Sequence, residues 1–108
     1  ETETCGDEGG TLNLGFFDPG DTLEYRIRVE RAGDHRIDYR LASQNGSDGF
    51  EVLLGDEVID RQTVGATGAW QTYTTQTSPV IWLPEGEHLL RFRSVGNEWN
   101  LNWFEVRR

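Results

Sequence analysis

At 108 residues the chain has material for one domain with one core, so 1–108 reads as a single unit. Nineteen acids face ten bases, all of them arginine, for a net charge of −9; neither nucleic acid nor an anionic membrane is an expected partner, while a neutral ligand is well tolerated. No run of about 18 apolar residues is present to span a membrane, no signal peptide is expected at the start, and Cys5 alone allows neither an internal disulfide nor a thiolate-only metal site.

In chain order, Glu1 to Thr11 is polar and glycine-rich and is expected to be a loop. Phe16 and Phe17 follow in Asn13–Asp21; on a strand two adjacent aromatics point to opposite faces, one to the core and one available. Residues 22–30 alternate, with Leu23, Tyr25, Ile27 and Val29 against Glu24, Arg26, Arg28 and Glu30. Residues 36–41 alternate likewise, Ile37, Tyr39 and Leu41 against Arg36, Asp38 and Arg40. Each period-two run predicts a strand with one wet face. Ala32-Gly33-Asp34 between them reads as a hairpin turn. Further strands are predicted at 50–54, 57–63, 71–75, 79–83, 88–93 and 101–106, separated by Gly55-Asp56, Gly65–Gly68, Pro84-Glu85-Gly86 and Gly96-Asn97. No window shows a 3.6-residue apolar period. Short, evenly spaced strands with 13 glycines predict an all-β, antiparallel β-sandwich.

Catalytic signals are weak. The nearest carboxylate pairs for glycoside hydrolysis, Asp56-Glu57 and Glu85/Glu87, fall in predicted turns, where a solvated charge is the better reading. His35 and His88 lack zinc-ligand spacing, and no nucleophile elbow or phosphate loop occurs.

The aromatics divide more usefully. Tyr25, Tyr39, Phe50, Phe92 and Trp103 fit strand periodicity and are expected mainly in the core. Trp99 either caps the core or lines a loop pocket. Alternation puts Trp82 on the opposite face from Ile81 and Leu83, as an edge-of-core residue or an exposed platform. Trp70 follows the glycine-containing loop 65–69, where core packing and ligand stacking are equally open. An indole beside a fixed carboxamide, such as those of Asn100 and Asn102, suits a sugar: the apolar face of a pyranose stacks on the ring, and its hydroxyls meet a donor and an acceptor. Turn or backbone capping is the alternative use of both asparagines.

The stretches Asn13–Asp21 (NLGFFDPGD), Tyr39–Gly46 (YRLASQNG), Ala66–Thr72 (ATGAWQT), Pro84–Leu90 (PEGEHLL) and Trp99–Trp103 (WNLNW) resemble, in order and spacing from about Glu3 to the end, the family 6 carbohydrate-binding modules. The resemblance implies a jelly-roll β-sandwich, here apparently lacking the family's first strand, and a non-catalytic role. It implies a sugar site in loops at one end, with Phe16 and Trp70 enclosing a ring, Asn100 bonding hydroxyls and Glu3 supplying an acid. Phenylalanine at 16, where the family more often has tyrosine, forfeits one hydrogen bond, worth about 0.5–1.5 kcal/mol. Some relatives carry a second site on a sheet face around a tryptophan; that position is Thr22 here, which leaves at most a polar remnant of Gln44, Asn45 and Glu51. The family's structural calcium would find Asn102 as one ligand. The resemblance further implies a secreted, extracellular module that targets an attached glycoside hydrolase to a polysaccharide. The Ala42–Gly46 stretch points first to chain ends of β-1,3-glucan (laminarin), with xylan, cello-oligosaccharide and agar-type galactan as alternatives. A structural sandwich packed on a neighbouring catalytic domain is the alternative of another class.

Overall fold

The computed structural model describes residues 18–69 and 72–108 together with the backbone of residues 2–4. Its strands are β1 (Thr2–Thr4), β2 (Thr22–Val29), β3 (Gly33–Ala42), β4 (Ser47–Leu54), β5 (Glu57–Val64), β6 (Thr74–Thr77), β7 (Ile81–Leu83), β8 (Gly86–Ser94) and β9 (Asn100–Arg107). One sheet has the order β1-β9-β3-β6, with β7 also paired to β3; the other has the order β2-β8-β4-β5. Every pairing is antiparallel. The expected antiparallel β-sandwich is the fold.

The alternating strands do what period two requires. Ile27 and Val29 on β2, Ile37, Tyr39 and Leu41 on β3, and Leu90 and Phe92 on β8 are buried between the sheets. Aromatic edges fill the middle: Tyr39 lies edge-on to Phe50 at 5.1 Å, and Phe92 is 4.8 Å from Phe104. Tyr25, expected in the core, packs against it from a partly buried position.

Three expectations are corrected. Residues 32–34 do not close a hairpin: β2 and β3 lie in different sheets, so the chain crosses the sandwich there. Two strands with one apolar face each bury more by facing one another than by pairing edge to edge. Trp103 is only half-buried; the register of β3 against β9 shifts between Arg40 and Leu41, and beyond this bulge Phe104 and Val106 take the inward positions. Within the opening stretch expected to be a loop, Thr2–Thr4 pairs with β9.

The far edge of β3 is shared end to end by β6, opposite Asp38 to Leu41, and β7, opposite Gly33 to His35. Pro79 lies between them and cannot donate to a ladder. Ser78 spans the gap instead: its N–H donates to the Ile37 carbonyl and its Oγ accepts from the Ile37 N–H, each at 2.8 Å.

On the outer surfaces charges pair across strands. Arg107 grips Asp38, with its Nε 2.7 Å from Oδ2, and Thr77 donates to the same carboxylate. The Arg107 bond, foremost, holds the Asp38 carboxyl below its usual range. Hydrogen bonds from Arg93 and then Arg61 likewise hold Glu51 low. Inside, the Tyr39 hydroxyl donates to Asp60 at 2.7 Å, and burial, reinforced by that charge, pushes the phenol well above its ordinary value.

A carboxylate with a lowered folded-state pKa stabilises above its unfolded pKa, about 3.9 for Asp, and loses that contribution as pH falls through the folded value. The urea-midpoint gap between wild type and Asp38→Asn is therefore expected to be largest near pH 7 and to close as the pH drops below about 4. A gap constant with pH would mean that the ion pair does not contribute to stability.

Candidate functional site

One end of the sandwich gathers the motifs that stood out in the sequence. Asp18-Pro19-Gly20-Asp21 forms a tight turn, with the Asp21 N–H on the Asp18 carbonyl at 3.0 Å. Proline presets the first central position, and Gly20 takes the second at a φ of 91°. The turn is fastened to the end of β8: the Gly20 N–H donates to the Ser94 carbonyl and the Ser94 N–H to Asp21, both at 2.8 Å.

Ser43, fully buried, joins the other three loops. Its Oγ donates to the Glu98 carbonyl at 2.7 Å in the β8–β9 loop and accepts from the Gly46 N–H at 3.0 Å in the β3–β4 loop. Its carbonyl accepts from the Thr67 N–H at 2.8 Å, and its N–H donates to Thr67 Oγ1 at 3.2 Å, which ties down the β5–β6 loop. Thr67 Oγ1 also lies 3.0 Å from the Ala69 carbonyl, which accepts from the Thr72 N–H. The β5–β6 loop is thus anchored through Thr67 to Ser43 at the end of β3, and the Thr72-to-Ala69 bond closes it locally.

The β8–β9 loop is held from beneath by Trp99. Its ring stacks on Phe50 with centroids 4.7 Å apart, and its Nε1–H lies 3.1 Å from both Ser94 Oγ and the Gly96 carbonyl. Trp99 is therefore a cap on the core. Gly96 presses so closely on the β4 loop that an added Cβ would lie 2.6 Å from Ser47 Oγ and 2.8 Å from the Asp48 N. Between the two loops runs a polar groove of about 430 Å³, lined by Asn45, Ser47, Asp48, Asn97 and Glu98 with Gly46 and Gly96. Sequence reasoning missed Ser43 as a junction and Asp48, Asn97 and Glu98 as a rim; the available signal was the pair of polar, glycine-flanked clusters at 44–49 and 96–98.

Of the residues expected to bind sugar, Asn100 opens β9 opposite Ala42, directly after Trp99, and is 2% exposed. Phe16 and Trp70 lie outside the described residues. The backbone of Glu3 pairs with Val106, six positions along β9 from Asn100, or roughly 20 Å at 3.3 Å per residue. The register therefore sets the Glu3 backbone toward the far end of β9 from Asn100.

Asn102 sits half-buried beside the β9 bulge. Among the described residues no three His, Cys, Asp or Glu side chains come together. On the other sheet Thr22 faces Arg93, which pairs with Glu51, and Glu51 is bonded to Arg61 at 2.7 Å. That row is polar and its carboxylate is occupied. Asp56 and Glu87 each lie 3.9 Å from an arginine on open surface, as solvated charges do.

Ser43→Ala removes both Oγ bonds and takes that partner from the Glu98 carbonyl and the half-buried Gly46 N–H. It is expected to lower stability by about 1–3 kcal/mol and to loosen all three loops together. Hydrogen exchange at Gly46, Thr67 and Trp99 amides reads this directly; acceleration confined to the β3–β4 loop would refute the junction role.

The model of the carbohydrate-binding module family 6 matches residues 1–108. The chain is 37% identical to a family 6 module of Cellvibrio mixtus lichenase 5A solved with cellotriose, at a TM-score of 0.78, covering all of this chain and 86% of that one. The C-terminal family 6 module of LamC, a marine laminarinase from Zobellia galactanivorans, is 31% identical at a TM-score of 0.84, with coverage of 100% and 87%. A β-1,3-glucan-binding family 6 module from Bacillus halodurans is 28% identical at 0.80, with coverage of 100% and 85%. Two much longer proteins are each 29% identical: the clotting factor G alpha subunit of Tachypleus tridentatus over 98% of this chain, and β-agarase AgaA of Microbulbifer thermotolerans over 88%. The chain spans 16% and 23% of their lengths. With a glycine-braced loop end on a two-sheet sandwich and this match from end to end, the chain belongs to carbohydrate-binding module family 6, whose members bind sugars and catalyse nothing.

Proposed function

We propose that this module binds exposed chain ends of β-1,3-glucan at the loop end. In this reading Trp70 and Phe16 are the stacking faces, Asn100 is the amide floor, and the groove along Asn45, Asp48 and Asn97 meets the outer hydroxyls. One observation carries it: Ser43 ties the Trp70 loop, the Ala42–Gly46 loop and the segment entering Asn100 into one unit. A rigid frame reduces the ordering cost that a small neutral ligand must otherwise offset. The choice of glucan draws support from the laminarinase module and the β-1,3-glucan-binding module, each about 30% identical. Cellotriose in the lichenase module and the agarase relative keep cello-oligosaccharide and agar-type galactan as the competing targets, with xylan beside them.

The biological role that goes with such a site is targeting. A secreted hydrolase on the same chain would be held at a polysaccharide surface, which raises its local concentration without adding chemistry. Affinity is expected in the micromolar to millimolar range.

Calorimetric titration with laminari-, cello- and xylo-oligosaccharides tests the reading. Saturable heat is expected with the laminari series, weakened at least tenfold, about 1.4 kcal/mol, by Trp70→Ala and likewise by Asn100→Ala. Undiminished binding by Trp70→Ala would put the site elsewhere, and a response to another series alone would change the target.

A further inference from the structure

A second aromatic feature lies at the opposite end of the same sheet. Trp82, in the middle of β7, is 62% exposed while its neighbours Ile81 and Leu83 are 8% and 0% exposed. The strand is thus nailed down by two core side chains and by pairing with β3, and it holds the indole outward on a rigid base. Leaving so large an apolar side chain in water sacrifices burial energy that an edge-of-core position would recover.

The surroundings of Trp82 are selective. Its direct cross-strand partner is Asp34, so the carboxylate stands on the same face, with Cβ atoms about 5 Å apart. Arg36, two residues along β3, shares that face; its Nη1 is braced by the Ser78 carbonyl at 3.2 Å, which orients a guanidinium rich in donors. Val80, 51% exposed, borders a recess of about 130 Å³ shared with Asp34, Arg36 and Arg108. A flat ring, a carboxylate and an oriented guanidinium side by side form a complete set for one pyranose: an apolar face to stack on, an acceptor for vicinal hydroxyls and a donor.

A protein partner fits this patch poorly. Specific protein interfaces bury roughly 1,200–2,000 Å² around a core depleted of charge. Here the indole stands opposite Asp34, and the valine shares its recess with Asp34, Arg36, Arg107 and Arg108. Among the described residues the other large exposed apolar side chains, Leu89 and Val95, lie on β8 and in the β8–β9 loop, away from this sheet face.

We infer that the Trp82–Asp34–Arg36 face is a second, independent carbohydrate-binding platform, stacking a hexopyranose ring of a glycan on the outside of the sheet. The Asp34–Trp82 pair stands eight positions along β3 from Ala42, the partner of Asn100, or roughly 26 Å at 3.3 Å per residue. The two sites therefore engage separate chains, or distant parts of one, so the platform acts through avidity on crowded polysaccharide and does not extend the loop-end subsite. The inference does not require the loop-end reading to hold.

The test follows the four indole Nε1–H resonances in two-dimensional ¹H–¹⁵N spectra during titration with laminaripentaose, cellopentaose and xylopentaose. The Trp82 peak is expected to shift and saturate in the millimolar range with at least one of them, and to do so unchanged in Trp70→Ala. Asp34→Ala is expected to weaken that response about three- to tenfold. On insoluble curdlan, Trp82→Ala is expected to lower retention about three- to tenfold while leaving the Trp70 response to soluble sugar intact. A Trp82 peak that stays still with all three sugars overturns the platform, whatever the Trp70 peak does. A peak that moves with protein concentration and not with sugar also overturns it, in favour of self-association.

Discussion

The placement of the loop end depends on one buried indole. Trp99 stacks on Phe50, which belongs to the opposite sheet, and its N–H is taken up by Ser94 and Gly96 at the end of β8. The contact spans both layers of the sandwich and ends at the residue before Asn100. A core ring is among the least mobile parts of a protein, because interiors are packed to crystal-like density. Rigidity that belongs to the core is thereby passed to a loop that would otherwise move freely. Gly96, too close to Ser47 and Asp48 for any side chain, and Glu98, held at a φ of 63°, show how tightly that loop is drawn in.

Ser43 extends the same constraint sideways. A single hydroxyl and peptide connect loops that follow β3, β5 and β8, so strands from both sheets deliver their ends to one place. Polar bonds of this kind are strong only when kept from water, and Ser43 is fully buried. Sugar-binding proteins gain little from each exchanged hydrogen bond. Holding the frame before the ligand arrives therefore matters more than adding contacts afterwards. The sheet faces work differently. Their charges pair locally, as Arg107 with Asp38 and Arg93 with Glu51, and Trp82 stands out because its neighbours leave an apolar ring uncovered.

Much of this was legible in the residues. Alternation along 22–29 and 36–41 announced the strands and their inward faces, and Tyr39, Phe50 and Phe92 are core as their periodicity required. The order of five short motifs was enough to indicate the family. Less legible was where alternation breaks. Nothing in Asn100-Leu101-Asn102-Trp103 distinguishes a straight strand from a bulged one, so Trp103 and Phe104 exchanged roles. The resemblance that implies an acid role for Glu3 carries no information on the strand pairing that sets its backbone opposite Val106.

The sequence alone determined the period-two faces, the turn positions and the membership of a family, because these depend on neighbours a few residues apart and on motif order. It also determined that Ile81 and Leu83 point one way and Trp82 the other. Only the tertiary structure decided that β2 and β3 face each other across the core, that Ser43 joins three loops, and that Asp34 stands beside Trp82. Those relations join residues dozens of positions apart, and which of many compatible pairings forms is set by the burial of the whole core at once.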